Sequence, residues 1–412
     1  MDSGSTAFMM VCTALVFIMT PGLALFYGGL GRRKNVVSNM MNSIFVMGLG
    51  MVLWYLIGYS MSFGGTGLFI GGFDKIGLAG ITKDSLTGDA PNAIPELVFV
   101  AFQMMFAVIT PAIITGSLAD RMKFKALFGF IVLWSILVYY PMAHMVWGDG
   151  GLLGGGWLNS VDFAGGNVVH IASGVSGLVL CLMLGKRQGY DHHPYRIHNI
   201  PFVMLGMALL WIGWFGFNAG SAVAANGLAA HAFMTTAISA ATAMLTWMMM
   251  DVIFSKKPTL VGASTGVIAG LVGITPAAGF VPLWASFIIG ALVSPICYGA
   301  IVLIKKRLKI DDALDAFSCH GVGGIFGGLM TGLFADPTIH ETAGLFFGNP
   351  AQLSRQAVAI VISIGVAAVG TFICASIVRL FATLRVDRGD ELVGLDMSEH
   401  GENAYPAYNG LD

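Results

Sequence analysis

Asp162-Phe-Ala-Gly-Gly-Asn-Val-Val-His170-Ile-Ala-Ser-Gly174-Val-Ser-Gly177 returns further along the chain as Asp312-Ala-Leu-Asp-Ala-Phe-Ser-Cys-His320-Gly-Val-Gly-Gly324-Ile-Phe-Gly327, so that both stretches read D-x7-H-x3-G-x2-G. If each is a helix, its turn length sets Gly166, Gly174 and Gly177 on the face of His170, and Ala316, Gly324 and Gly327 on the face of His320. Each imidazole then projects from a face cleared of bulk. Small residues let a second helix approach closely or leave a lumen open, and an ionisable group on such a face within a membrane marks a functional site. Two matching faces predict one shared site.

The chain around these motifs is 56% hydrophobic and only 10% charged, where a soluble domain carries about 25% charged residues. Its mean hydropathy is +0.79. This is the composition of an integral membrane protein. A formal net charge of -1 leaves no basic surplus for a nucleic-acid partner. Cys12, Cys181, Cys297, Cys319 and Cys374 are scattered through apolar runs without a C-x-x-C, so neither a metal site nor a disulfide framework is expected. Glycine, at 56 of 412 residues, falls largely inside apolar segments, which suits close helix packing. Met1-Asp-Ser-Gly-Ser-Thr leads straight into an apolar run without the charged region and cleavage site of a signal peptide, so the first span is expected to be a permanent helix.

Apolar stretches of about 20 residues cross a hydrocarbon core as helices. Eleven are expected, near residues 7 to 30, 39 to 63, 96 to 118, 127 to 147, 162 to 185, 200 to 220, 228 to 254, 259 to 276, 281 to 304, 313 to 334 and 355 to 384. Basic residues stay on the cytoplasmic side of a membrane. With the N-terminus outside and the C-terminus inside, the cytoplasmic loops collect Arg32, Arg33, Lys34, Arg121, Lys123, Lys125, Lys186, Arg187, Arg196, Lys256, Lys257, the run Lys305 to Lys309, and Arg379, Arg385 and Arg388. Only Lys75, Lys83 and Arg355 remain outside. The two histidine motifs then enter the membrane from opposite sides. That is the plan of an inverted five-plus-five repeat, one half over about 7–185 and the other over about 200–334, with an extra C-terminal helix at about 355–384. Counting ~1.5 Å per residue, each histidine would lie about 10 Å inside its own face, leaving about 10 Å between them in depth. Contact requires the polar starts of these two helices to be recessed in vestibules or to lie outside the hydrocarbon. The transmembrane domain is expected over 1–385, with 386–412 as an acidic cytoplasmic tail that is either disordered or a regulatory and docking segment. Residues 64 to 95 read as an ordered outer loop.

Facing neutral imidazoles, each with one donor and one acceptor, can hydrogen-bond to each other and still meet a small passing solute. Asp162 and Asp312 open their helices, where a carboxylate caps backbone N–H groups; Asp162, on the outer side, could also help attract a cation. Phe102-Gln-Met-Met-Phe106, Trp147 and Trp211-Ile-Gly-Trp214-Phe-Gly-Phe217-Asn-Ala-Gly-Ser221 place aromatics near outer helix ends. Singly they read as belt anchors, and together as a cation-π cup with Ser221 as acceptor. His144 and His231 read as packing or interfacial residues, and His192, His193 and His198 as solvated.

Pro21-Gly-Leu-Ala-Leu-Phe-Tyr-Gly-Gly29, the Asp162 to His170 motif, Trp214-Phe-Gly-Phe-Asn-Ala-Gly-Ser221, Gly262-Ala-x-x-Gly-x-Ile-Ala-Gly-Leu-Val-Gly-Ile-Thr-Pro276, Asp315-x-Phe-x-x-His-Gly321 and His400-Gly-Glu-Asn-Ala-Tyr405 together resemble the Amt/MEP/Rh ammonium transporters, the bacterial Amt branch in particular. The resemblance runs over nearly the whole chain. It implies a transporter rather than an enzyme, an eleven-helix homotrimer in the lipid of the plasma (inner) membrane with one pore per subunit, and no organic cofactor. Phe106, Trp147 and Ser221 would form the outer ammonium site, Phe106 and Phe217 the gate, and His170 and His320 the pore pair, with Asp162 as structural support. The tail would engage a PII-type signalling protein. The substrate would bind as NH4+, lose its proton near the gate and cross as NH3, with or without a proton relayed along the imidazoles. Two rival readings remain: a haem ligated by His170 and His320, and a sensor whose tail reports ammonium to a partner.

Overall fold

The computed structural model describes residues 1–88, 91–190 and 195–405. His192, His193 and the end of the tail lie outside them. The membrane helices are α1 (Ser3–Leu30), α2 (Arg33–Phe63), α3 (Glu96–Leu118), α4 (Phe124–Trp147), α5 (Gly166–Leu184), α6 (Ile200–Gly220), α7 (Gly227–Ser255), α8 (Leu260–Ile274), α9 (Leu283–Arg307), α10 (Phe317–Phe334) and α11 (Pro350–Arg379). Two short helices follow, α12 (Arg388–Val393) and α13 (Leu395–His400). Ten of the eleven are long and apolar enough to cross a bilayer alone. The exception is α8, whose fifteen residues rise only ~22 Å. Pro276 cannot donate the bond that would extend it, and the chain completes the crossing through the buried turns of Thr275 to Phe280. Among its described residues the expected outer loop carries one short antiparallel pair, β1 (Leu86–Thr87) with β2 (Ile94–Pro95).

Alternate loops gather on opposite faces. On one face Lys34 donates to the Glu391 and Leu392 carbonyls, Tyr190 to the Lys305 carbonyl, and Arg385 to the Lys186 carbonyl. This is the tail face. On the other, Asp2 N–H meets the Ala93 carbonyl, Leu152 N–H the Leu68 carbonyl, and Phe163 N–H the Pro276 carbonyl. N-terminus and tail therefore lie at opposite ends of the bundle, as an odd number of crossings requires.

The two halves meet antiparallel. Along α1 and α6, Gly216 abuts Cys12, Gly206 abuts Gly22 and Phe26, and Gly29 abuts Val203. Along α5 and α10 the same reversal appears, with Gly174 against Gly321 and Gly324 against Gly166 and His170. A Cβ on Gly324 would stand 3.0 Å from that of His170, so the small-residue faces are what permit the approach.

Helices α5 and α10 begin four residues later than the sequence suggests. Gly165, at φ 114°, turns the chain through the left-handed region just before α5, and Asp315, at φ 61°, does the same before α10. Asp162 and Asp312 are buried in the segments leading in. Both helices thus start inside the protein rather than at its surface. The ~10 Å depth gap between the histidines, which assumed helices running to the faces, disappears.

The described part of the tail, residues 386–405, is folded onto its face. Ser38 N–H donates to Asp396 at 2.8 Å, Leu395 N–H to the Asn35 side chain at 2.8 Å, and Phe124 N–H to Glu399 at 2.9 Å. Beneath it a buried ion cluster joins three loops, with Arg121 and Arg187 reaching Asp311 at 2.8 and 2.6 Å.

Candidate functional site

The Nδ1 atoms of His170 and His320 lie 3.1 Å apart. Both rings are buried, tilted by 32° with centroids 5.2 Å apart. A hydrogen bond between two Nδ1 atoms fixes the tautomers of a neutral pair. The ring that donates from Nδ1 keeps a lone pair on Nε2, and the ring that accepts keeps an Nε2–H. The pair therefore offers one acceptor and one donor outward. Nε2 of His170 is buried and has no hydrogen-bond partner.

Above the pair, Trp214 stacks on His170 at 5.4 Å and 20°, its indole N–H held by Thr275 Oγ1 at 2.9 Å. One turn further along α6, Phe217 lies 6.2 Å from His170. Phe217 stacks on Phe106 of α3 with centroids 4.1 Å apart and planes at 23°. At that separation the rings touch, and nothing passes between them without a side-chain movement. Trp147 meets Phe106 edge to face at 5.8 Å and 88°. Its N–H donates to the Asp162 carbonyl at 3.0 Å, which leaves the ring face as its free surface. Ser221 is half-buried, one turn past Phe217 where α6 ends, and donates its hydroxyl to the Phe217 carbonyl at 2.9 Å, keeping a lone pair to accept.

Asp162 holds the start of α5. Its carboxylate accepts from the N–H groups of Gly165, Gly166 and Asn167 at 2.8, 2.6 and 2.7 Å. Asp312 accepts from Phe317 N–H at 2.9 Å and from Ser117 at 2.7 Å. Each carboxylate thus supplies the acceptors that the first turn lacks, and fixes where the histidine eight residues on will stand.

Below Phe217 lies a cavity of about 100 Å³ lined by both histidines, Trp214, Ile113, Leu210 and Leu314 among others. It runs on to Ile197 and Asp315 near the tail face. A volume of that size admits several molecules as small as water or ammonia. Its walls are mostly hydrocarbon, which suits a neutral solute and opposes a bare ion.

Three further histidines have structural partners. His144 is buried between the Ser62 and Gly67 carbonyls, His231 contacts the Val281 carbonyl at 2.8 Å, and His198 meets the Tyr405 hydroxyl at 3.1 Å. Trp214 is the site residue the sequence reading misplaced. It belongs beside His170 rather than in the outer cluster, and its position three residues before Phe217 on one helix face is the signal that shows this.

A profile of the Ammonium Transporter Family matches residues 7–405. The ammonium transporter of Bacillus subtilis (strain 168) is 47% identical over 407 residues, covering 98% of this chain and 99% of the relative. Among solved structures, Saccharomyces cerevisiae Mep2 superposes with a TM-score of 0.89 at 34% identity, covering 99% of this chain and 93% of that one. A structure described as a sensor Amt protein gives 0.86 at 26% identity, over 96% and 98% of the two chains. With this match over nearly its whole length, and with eleven helices in two inverted halves, the chain belongs to the Ammonium Transporter Family.

Proposed function

We propose that the chain carries ammonium across the plasma membrane, with the tail face in the cytoplasm, by moving it as NH3 past the imidazole pair. The family and its relatives support ammonium as the transported species. The observation that carries the mechanism is the pair itself, two imidazoles 3.1 Å apart at the wall of a mostly apolar cavity, sealed from the opposite face by touching phenyl rings.

Ammonium and potassium are both small monovalent cations, and size alone separates them poorly. A bare charge in hydrocarbon costs several kcal/mol or more. Trp147, Phe106 and Ser221 form the outer site, where ring faces attract the cation and the hydroxyl oxygen accepts a hydrogen bond from it. NH4+ parts with its proton at the Phe106–Phe217 gate, the proton passing either back to the outer water or along the imidazole pair, and NH3 enters the cavity. There it donates to the Nε2 lone pair of one imidazole and accepts from the Nε2–H of the other. Potassium has no proton to lose and stays outside. Selectivity thus follows from acidity rather than from a fitted hole. Asp162 acts at one remove, by holding the start of the helix that carries His170.

Proteoliposomes containing a trapped pH dye test this reading. An inward ammonium gradient is expected to change internal pH faster than in empty vesicles, and an equal potassium gradient to drive no flux. Ammonium kinetics identical to those of empty vesicles would refute transport.

The expected homotrimer and the PII-type partner belong to the same proposal. The transmembrane domain is residues 1–385, and residues 386–412 are the segment offered to that partner. A sensing role is the second reading, supported by the likeness to a sensor Amt protein and by the docked tail. Co-purification of cytoplasmic partners with and without residues 386–412 separates the two: loss of a partner with transport intact favours sensing through the tail.

A further inference from the structure

A second cavity opens on the tail face, with a volume of about 710 Å³. That is within the range of small-molecule sites. Its wall carries Arg32, Arg33, Lys34, Arg196 and His198, and no carboxylate among its described lining residues. Ile197 lines both this cavity and the histidine-lined one, so the two cavities meet at the same residue. The cations are partly fixed in place. Arg32 donates to the Gln188 carbonyl at 3.3 Å and lies over the Tyr195 ring at 5.4 Å, and Arg33 lies over the Tyr405 ring at 5.3 Å. Lys34 is anchored by tail carbonyls at 2.7 Å.

Asp120, 3.7 Å from Arg32, is shared with Arg187 at 3.4 Å, and Glu391, which accepts from the Gln188 N–H on the chamber wall, is shared with Arg385 at 2.7 Å. Arg196 is exposed and has no partner among the described residues. Four permanent cations thus line one chamber, beside carboxylates that are already shared with Arg187 and Arg385. Planar guanidinium groups pair with phosphate oxygens through two parallel bonds, and several such groups around one chamber call for several negative charges on one small molecule.

We propose that this chamber binds a soluble polyphosphate-class anion, of the pyrophosphate or nucleoside-polyphosphate kind, which seats at the inner mouth and slows passage. The binding half stands on the chamber alone, whereas the slowing half rests on the conduit reading above.

Equilibrium titration of the full chain in nanodiscs of zwitterionic lipid, using pyrophosphate, tests the first half. Binding is expected at low salt and should weaken as salt rises, because the charges are solvent-facing. The double variant Arg33→Gln, Arg196→Gln should lose about tenfold in affinity or more, as removal of charged hydrogen bonds does. Lys257→Gln with Lys306→Gln, which removes basic charge elsewhere, should bind as wild type does. Absence of binding overturns the proposal, as does binding unaffected by the first double variant or equally weakened by the second. Capture of an acidic peptide but not pyrophosphate overturns it in favour of a protein ligand. Arg33- and Arg196-dependent retention of anionic lipid without pyrophosphate binding reassigns the site to a headgroup and also overturns it.

For the second half, pyrophosphate trapped inside proteoliposomes should slow the initial ammonium flux. Binding without slowing refutes regulation and leaves transport untouched. Vesicles that fail to transport even without the anion refute the conduit reading, while the titration still judges the site.

Discussion

Replacing Gly174 by alanine changes neither imidazole, yet it should separate them. A Cβ at this position would fall within van der Waals distance of three backbone atoms, 2.6 Å from the Gly321 α-carbon and 3.1 Å from the His320 carbonyl carbon, with the Gly321 nitrogen nearer still. Backbone cannot swing aside as a side chain does. Restoring a contact of about 3.5 Å requires α5 and α10 to part by at least about 0.9 Å. If the rings follow their helices, the Nδ1 separation of 3.1 Å grows to about 4 Å, beyond hydrogen-bonding range. Overpacking costs roughly 1–3 kcal/mol, and the lost bond adds roughly 0.5–1.5 kcal/mol. Raising the barrier to passage by about 1.4 kcal/mol slows it about tenfold.

The assay is ammonium-driven pH change in proteoliposomes, together with thermal unfolding in detergent. Gly365→Ala in α11 is the control, because its added methyl meets nothing within 4 Å. It should leave transport unchanged and leave stability equal or slightly raised, by up to about 1 kcal/mol. Gly174→Ala with wild-type flux and wild-type unfolding would refute the claim that close helix approach sets the imidazole geometry.

Asp162→Asn leaves one oxygen for three N–H groups now held at 2.6 to 2.8 Å; a lower melting temperature and reduced flux are expected, each lost charged bond being worth roughly 1.5–3 kcal/mol, and unchanged melting would contradict it. Phe217→Ala removes half of a stack 4.1 Å across; permeation is expected to lose gating, seen as potassium or water leak in a dye-flux assay, whereas an unaltered barrier to both would show that the rings do not close the path. Asp311→Asn strips a buried carboxylate from Arg121 and Arg187, and removing one partner of such a pair costs about 3–5 kcal/mol, measured as a loss of thermal stability. Burial alone would raise the Asp311 carboxyl, but hydrogen bonds from Arg187 and the charges of Arg187 and Arg121 overcome it and hold the group below the usual carboxylate range. Its contribution is therefore full above about pH 4 and fades only as the pH falls through the lowered value, so the stability gap between wild type and Asp311→Asn should stay constant from neutral pH down to about pH 5 and narrow below about pH 4.

Much of this was readable because a membrane leaves few options. Hydropathy and the one-sided distribution of Lys and Arg gave the number of helices, and the repeated His–Gly spacing gave the antiparallel contact of α5 with α10. What hydropathy could not give was where helices stop inside the protein. A buried turn is as apolar as a helix, so the end of α8 at Ile274 and the late starts of α5 and α10 were invisible to it. The signals lay in backbone chemistry instead. Asp162 ahead of Gly165-Gly166 is a cap placed before a left-handed turn, and Pro276 marks the end of α8. The depth mismatch predicted for the histidines was a consequence of missing the recessed starts. The tail was equally ambiguous, because polar composition does not distinguish a disordered segment from one whose carboxylates find backbone N–H groups on the body. Asp396 at Ser38 and Glu399 at Phe124 are such pairings. The basic chamber was likewise scattered in sequence, since Arg33 and Arg196 meet only after the loops fold together.

Paired measurement of ammonium and potassium flux through the reconstituted His170→Ala and His320→Ala proteins tests most directly whether selective passage depends on the two imidazoles. Removal of either ring breaks the 3.1 Å contact and exchanges a donor–acceptor pair for a wider gap. The expected result is a changed ammonium rate, a weakened exclusion of potassium, or both, in protein that still folds. Both fluxes identical to wild type in both variants would contradict the account.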